Sequence, residues 1–109
     1  MNTNPKFDVI YQGIEAANDT DLKCQLYRRA MNYALIRAEW YFLTQSERLE
    51  NDPKRSAAHN AFIDACNILS RAMYRTKEDN SWRAKLGEDR KAIGDFACYV
   101  AYRLGVMMR

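Results

Sequence analysis

The sequence predicts an all-α protein, a single-domain antiparallel four-helix bundle with up-down-up-down topology, one short first helix and three long helices. Nearly half of the residues (48%) are hydrophobic, and only four glycines and two prolines interrupt them, which is typical of a helical domain. Apolar residues recur at intervals of three and four along most of the chain, as on amphipathic helices. Short polar breaks favour antiparallel neighbours. Because 109 residues support one modest core, positions 1–109 are predicted to form one domain.

The first two helices differ in length. Asn4 followed by Pro5 predicts the start of the first helix, which ends near Asn18. The second is predicted to run from about residue 21 to residue 49, roughly twice as far. Its apolar side chains cover a wider arc than one neighbouring helix can bury.

The second half of the chain contains one clear break and one ambiguous glycine. Asp52 and Pro53 predict a helix end and a restart, because Asp is a good cap and Pro fits the first turn. The third helix then has one apolar face, and positions 76–81 form a polar connection. Gly87 allows two readings: it lies inside one long last helix, or it ends a short turn before that helix.

The last helix is predicted to be central. It carries a stripe of apolar residues at helical spacing: Leu86, Ile93, Ala97, Val100, Leu104 and Met107. Beside that stripe runs a column of small residues: Gly94, Cys98, Ala101 and Gly105. Small side chains let another backbone approach closely, so we expect tight packing on this second side.

A short first helix would cover only the first half of the second, while the apolar pattern continues through Leu43. An open apolar surface is therefore predicted at the uncovered end. Its members are Ile36, Trp40, Leu43, Val106 and Met107. The consecutive aromatics at 40–42 point across more than half of the helix circumference, so at least one should face outward.

The charged residues offer two further candidate sites on a chain of net charge +3. Arg37 and Arg90 fall within apolar arcs, where each is either paired internally, with Glu15 as a mate for Arg90, or presented to a carboxylate or phosphate. A basic tip around residues 71–85 supplies candidate phosphate contacts. They are Arg71, Arg75, Lys77, Arg83 and Lys85.

Catalytic chemistry has little support. The single histidine, His59, has no nucleophile at an informative spacing, and no phosphate-binding loop or metal motif occurs. Cys24, Cys66 and Cys98 lie in helical patterns and are interpreted as reduced core thiols. We therefore expect no enzyme activity, cofactor, metal or small-molecule substrate. The chain has no apolar run of ~20 residues and no signal-peptide pattern at its start, so a cytoplasmic location is expected.

The function predicted from these patterns is protein–protein binding by a non-enzymatic regulatory or inhibitory adaptor, most simply as a homodimer. The alternative is a nucleic-acid-associated regulator that uses the basic tip. No motif selects a family. The small basic bundles found among bacteriocin-immunity proteins and phage-encoded inhibitors suggest a bacterial or phage origin by analogy of fold class alone.

Overall fold

The computed structural model describes residues 5–74 and 90–107, with the side chains of residues 74, 106 and 107 left out. Gly87 lies outside these ranges. The predicted fold class is confirmed: the described residues form an all-α four-helix bundle with a short first helix. The helices are α1 (Pro5–Glu15), α2 (Thr20–Trp40), α3 (Gln45–Tyr74) and α4 (Arg90–Met107). Pro5 starts α1 as predicted, and Asp19 caps α2 by accepting a hydrogen bond from the Leu22 backbone N–H at 3.0 Å.

Helix α2 ends nine residues before its predicted end at residue 49, and α3 starts at Gln45, eight residues before the predicted restart at Pro53. The helix predicted over 21–49 ends at Trp40, because Thr44 and Glu47 form a reciprocal capping box that starts a new one. Thr44 N–H donates to Glu47 Oε1 at 2.9 Å, and Glu47 N–H donates to Thr44 Oγ1 at 3.2 Å. These hydrogen bonds hold the pKa of Glu47 below its ordinary value.

Pro53 lies inside α3, so the predicted break at this residue is wrong. Proline removes the hydrogen bond that the Leu49 carbonyl would accept within the helix. Both Leu49 and Pro53 lie on the exposed side of α3, where water can replace that bond.

The core is held by aromatic rings that connect all four helices. Phe7 of α1 packs on Phe96 of α4, with ring centroids 5.3 Å apart, and Phe96 packs on Phe62 of α3 at 6.0 Å. Phe62 in turn lies 6.5 Å from Tyr33 of α2. Tyr33, Phe62 and Phe96 are fully buried. Because each ring contacts the next helix, the core is one continuous unit.

Polar contacts fix α1 against α4. The Arg103 guanidinium lies 4.7 Å from the centre of the Tyr11 ring and donates to Tyr99 Oη at 2.8 Å and to Asp8 Oδ1 at 3.3 Å. Tyr99 Oη–H donates to Asp8 Oδ1, and Arg103 Nη2 lies 4.0 Å from Glu15 Oε1. Burial raises the pKa of Tyr11, which stays neutral under the guanidinium. Helix α1 therefore packs mainly against α4 and not, as the sequence predicted, along the first half of α2.

The side-chain register shows the direction of α4. Its start and middle meet α3 in the same order, through Arg90–Ser56 and Phe96–Phe62. Arg103, further along α4, faces Glu15 at the end of α1, whereas Phe96 faces Phe7 near the start. Therefore α4 runs parallel to α1 and α3, and only α2 is antiparallel to the rest, which corrects the predicted direction of the last helix. The prediction assumed a short connection, whereas fifteen positions separate α3 from α4.

Helix α2 has the most extensive packing, which it shares with α3 and α4. The last helix also contacts every other helix in the described part, but α2 is the more central element. One side of α2 supplies its buried residues: Leu26, Ala30, Tyr33 and Ile36. With this side committed to the core, the opposite side faces outward.

Replacing Phe96 by alanine should test the aromatic connection. We expect Phe96→Ala to lower the free energy of unfolding by about 3–5 kcal/mol, because it leaves a cavity between α1, α3 and α4. Leu49→Ala is the control, since Leu49 is 74% exposed and should change stability by less than about 0.5 kcal/mol. Urea unfolding measures both variants, and equal losses would contradict this account of the core.

The capping box predicts a local effect at the start of α3. Thr44→Ala removes the acceptor for the Glu47 N–H and should cost about 0.5–2 kcal/mol in urea unfolding. Ser46→Ala, two residues further along and exposed, is the matched control and should be nearly neutral. If the two variants unfold at the same urea concentration, α3 does not depend on this cap.

Candidate interaction surface

The five residues predicted to form an open apolar surface do not share one exposed surface in the described part of the chain. Ile36 is 8% exposed and belongs to the core, so it is not accessible to a partner. Trp40 is half-buried, with the Arg55 guanidinium 5.0 Å from its ring centre, and Leu43 is also half-buried. Val106 and Met107 end α4, but their side chains lie outside the described residues. No surface centred on Trp40 is therefore assembled in the described part of the chain.

A different apolar surface lies along α2. Six exposed residues, called here the outer face of α2, follow one another at spacings of 4, 3, 4, 3 and 4. They are Cys24, Arg28, Met31, Leu35 and Ala38 of α2, with Phe42 in the turn that directly follows the helix. Met31 is 48% exposed, Leu35 58% and Phe42 89%. Alternating spacings of three and four put side chains on one straight seam of a helix, the arrangement by which coiled-coil helices meet.

Sequence reasoning did not find this seam, although its spacing is present in the sequence. It treated α2 as apolar over a wide arc and chose Ile36 and Trp40 as the accessible residues. Side chains on both sides of α2 are apolar, so periodicity alone does not show which side meets the core. The spacing of the outer residues could not mark them as exposed, because the buried residues of α2 also recur at intervals of three and four.

The corner between α2 and α3 extends this exposed surface. Tyr41 is 76% exposed, beside Phe42 at its end, and Leu49 of α3 is also exposed. At least one of the three aromatics was predicted to face outward, and two do, while Trp40 stays against α3. Arg48 Nε donates to the Trp40 carbonyl at 3.1 Å and secures the end of α2.

Arg37 is paired internally. Its Nη1 donates to Asp95 Oδ1 at 2.9 Å and lies 3.8 Å from Cys98 Sγ. Burial lowers the pKa of Arg37 most strongly of any single cause, but the hydrogen bond to Asp95 and the electrostatic attraction of Cys98, Asp95 and Tyr33 together outweigh burial and raise the pKa. The side chain also lies over Gly94, where an added Cβ would come within 2.8 Å of Nη1.

At the two glycines of the small-residue column, the nearest neighbour is not the backbone of another helix. A side chain, that of Arg37, makes the close approach at Gly94. At Gly105 an added Cβ would meet no atom within 4 Å, so this end of the column is open. A small residue on a helix makes room either for the backbone of a neighbouring helix or for a long side chain. The sequence pattern is the same in both cases, so it did not distinguish them.

The other charged candidates do not gather into one site in the described ranges. Arg90 is exposed and donates to Ser56 Oγ at 3.3 Å, while its expected mate Glu15 faces Arg103. Arg71 is exposed on α3. The remaining members of the basic tip, Arg75, Lys77, Arg83 and Lys85, lie outside the described residues.

The histidine and the cysteines of the described residues differ in how far they are buried. His59 is buried and meets the Tyr33 ring edge-on, with ring centres 5.6 Å apart and Nδ1 3.2 Å from Asn60 Oδ1. Cys66 is buried, and burial raises the pKa of its thiol. Cys24 is exposed on the outer face of α2, so its prediction as a core thiol is wrong.

Within residues 5–74 and 90–107, no three His, Cys, Asp or Glu side chains are grouped so that they could hold a metal ion. The helices of the same ranges include none that is both long and apolar enough to cross a membrane. The most distinctive feature of this part of the chain is therefore the exposed apolar seam of α2.

The two glycines of α4 should respond differently to alanine. Gly105→Ala should stabilise the helix by up to about 1 kcal/mol, because the added methyl meets open space. Gly94→Ala should gain less or lose stability, because Arg37 must move away from Asp95. In an Arg37→Ala background the difference between the two variants should shrink. Thermal melts of the four combinations test this, and an unchanged difference would show that Arg37 is not the obstacle.

The chain matches no protein-family model, no curated protein and no solved structure at a significant level.

Proposed function

We propose that this protein is a non-enzymatic binding protein, a regulatory or inhibitory adaptor that contacts another protein through the outer face of α2. A second copy of the same chain is the simplest partner. The observation that carries the proposal is the seam of six exposed positions at heptad spacing from Cys24 to Phe42.

Energetics support a contact role for this seam. Scattered apolar side chains are normal on a protein surface, but Met31 and Leu35 lie one turn apart on the same side of α2, and grouped apolar side chains more often mark a contact site. Fully burying a side chain such as Met31, Leu35 or Phe42 contributes roughly 1.5–3 kcal/mol each. Covering the seam would therefore stabilise a complex, and in a symmetric dimer both copies use the same surface.

The charged and titratable groups also favour binding over catalysis. Arg37 is engaged by Asp95, and His59 is buried beside Tyr33. A cytoplasmic location is part of the proposal. It is supported by the free thiols of Cys24, Cys66 and Cys98, because reducing compartments keep such thiols unpaired.

The test of this function is the molecular mass in solution. Size-exclusion chromatography with light scattering should give a dimer for the wild-type protein and a monomer for Leu35→Glu, because the added carboxylate would be desolvated in the contact. Ile68→Glu is the matched control, since Ile68 is an exposed apolar residue of α3 (43%), outside the seam, and should leave the dimer intact. Circular dichroism should show unchanged helix content in both variants.

A wild-type protein that stays monomeric at high concentration would reject the homodimer. Loss of the dimer in Ile68→Glu but not in Leu35→Glu would move the contact away from α2. Binding to nucleic acid with a steep loss of affinity as salt rises would instead favour the basic-tip alternative.

A further inference from the structure

We infer that the second copy docks with its own α2 antiparallel to the first, and that Arg28 and Glu39 select this orientation. The inference rests on the proposed self-association through the outer face of α2. It adds which residues meet across the contact and why the opposite orientation is disfavoured.

The spacing of the seam defines the antiparallel register. A two-fold axis level with Tyr33 pairs residues whose numbers are equally far from 33, on opposite sides of it. Within α2 the resulting layers are Arg28 with Ala38 and Met31 with Leu35. Cys24 meets Phe42 of the turn after α2, which continues the winding of the helix because its N–H donates to the Glu39 carbonyl at 3.0 Å. All six seam residues take part. Each layer pairs an a position of one helix with a d position of the other, as in antiparallel coiled coils. The seam spans about 27 Å at ~1.5 Å per residue.

Side-chain size favours this register over a parallel one. In the antiparallel arrangement the long stem of Arg28 packs over the small Ala38 of the partner, and Met31 fills the space opposite Leu35. A parallel pair would place Arg28 against Arg28 and Ala38 against Ala38. The Arg28 layer would then be overpacked and the Ala38 layer would contain a void. Both overpacking and voids destabilise a packed interface.

Charge favours the same choice more strongly. In a parallel contact, two Arg28 guanidiniums would face each other and repel. Such repulsion between like charges in a desolvated interface lowers the affinity of the dimer. In the antiparallel register, Arg28 lies beside the partner's Ala38, one residue from the partner's Glu39. The two-fold symmetry forms this pair of opposite charges twice.

Both side chains are available for that contact. Arg28 and Glu39 are exposed, and within residues 5–74 and 90–107 neither one forms an ion pair in the isolated chain. This differs from Arg37 and Arg103, whose charges are already paired with acids of the same chain. Docking therefore requires no existing ion pair to break.

Charge reversal tests the pairing. Arg28→Glu and Glu39→Arg, each alone, should weaken the dimer at least about tenfold in dilution experiments, because each brings two like charges together twice. The double variant should recover most of that affinity, since it restores both pairs with their signs exchanged. Failure of the double variant to recover would overturn the assigned pairing.

The native thiol of Cys24 gives an independent measurement of orientation. In the antiparallel register Cys24 faces position 42 of the partner. Mild oxidation of the Phe42→Cys variant should therefore yield an intermolecular disulfide between Cys24 of one copy and the introduced thiol at position 42 of the other. Peptide mapping by mass spectrometry identifies the linked thiols. A parallel contact would instead give Cys24–Cys24 links in the wild type and would overturn the inference.

The two sets of results separate the orientation from the function. If Leu35→Glu gives a monomer while the wild type links Cys24 to Cys24, self-association through α2 stands and the antiparallel register fails. If Leu35→Glu leaves a dimer intact, the proposed contact surface itself fails. Helix content measured for every variant guards against an unfolded protein being read as a monomer.

Discussion

The structure depends on the aromatic chain that begins at Phe7 and passes through Phe96 and Phe62 to Tyr33. One ring comes from each of α1, α4, α3 and α2 in turn, so each of the four described helices contacts an aromatic ring of another helix. Close packing of large rings fixes the separation and rotation of the helices, because the interior tolerates few voids. The polar contacts of Arg103 with Asp8 and Tyr99 lie beside this chain and hold α1 in its register.

The rotation of α2 that places Tyr33 in the core also decides what this helix presents to solvent. Residues on one side of a helix are fixed once a residue on the other side is fixed, because each step turns by about 100°. With Tyr33 and Leu26 directed inward, Met31 and Leu35 are directed outward. The exposed seam is therefore a consequence of ordered core packing, and it is as well defined as the core.

The helical class, the number of helices and the short first helix could be predicted, because apolar periodicity and the cap at Asp19 are local features. The α2–α3 boundary was predicted at Pro53 because proline was given more weight than the capping box of Thr44 and Glu47. The direction of α4 could not be predicted, since it depends on a long-range match between Phe96, Phe62 and Phe7. The interaction surface was predicted at the wrong residues for a related reason. Ile36 and Leu35 are both apolar, so the sequence does not show which one is buried, and only the packing of α2 against the other helices decides this.

The composition of the outer face of α2, rather than its spacing, bears on the proposed contact. The 4-3-4-3-4 order follows from helix geometry, because every side of a helix repeats after three or four residues, but Met31 and Leu35 are large apolar side chains on a side that is usually polar when it faces water. Arg28, the charged residue among the six, lies four residues after Cys24, and the small residue Ala38 lies four residues before Phe42. In the proposed antiparallel contact, this arrangement sets the long side chain of one copy against the small side chain of the other. The same asymmetry has no use against the core, which α2 contacts through its opposite side.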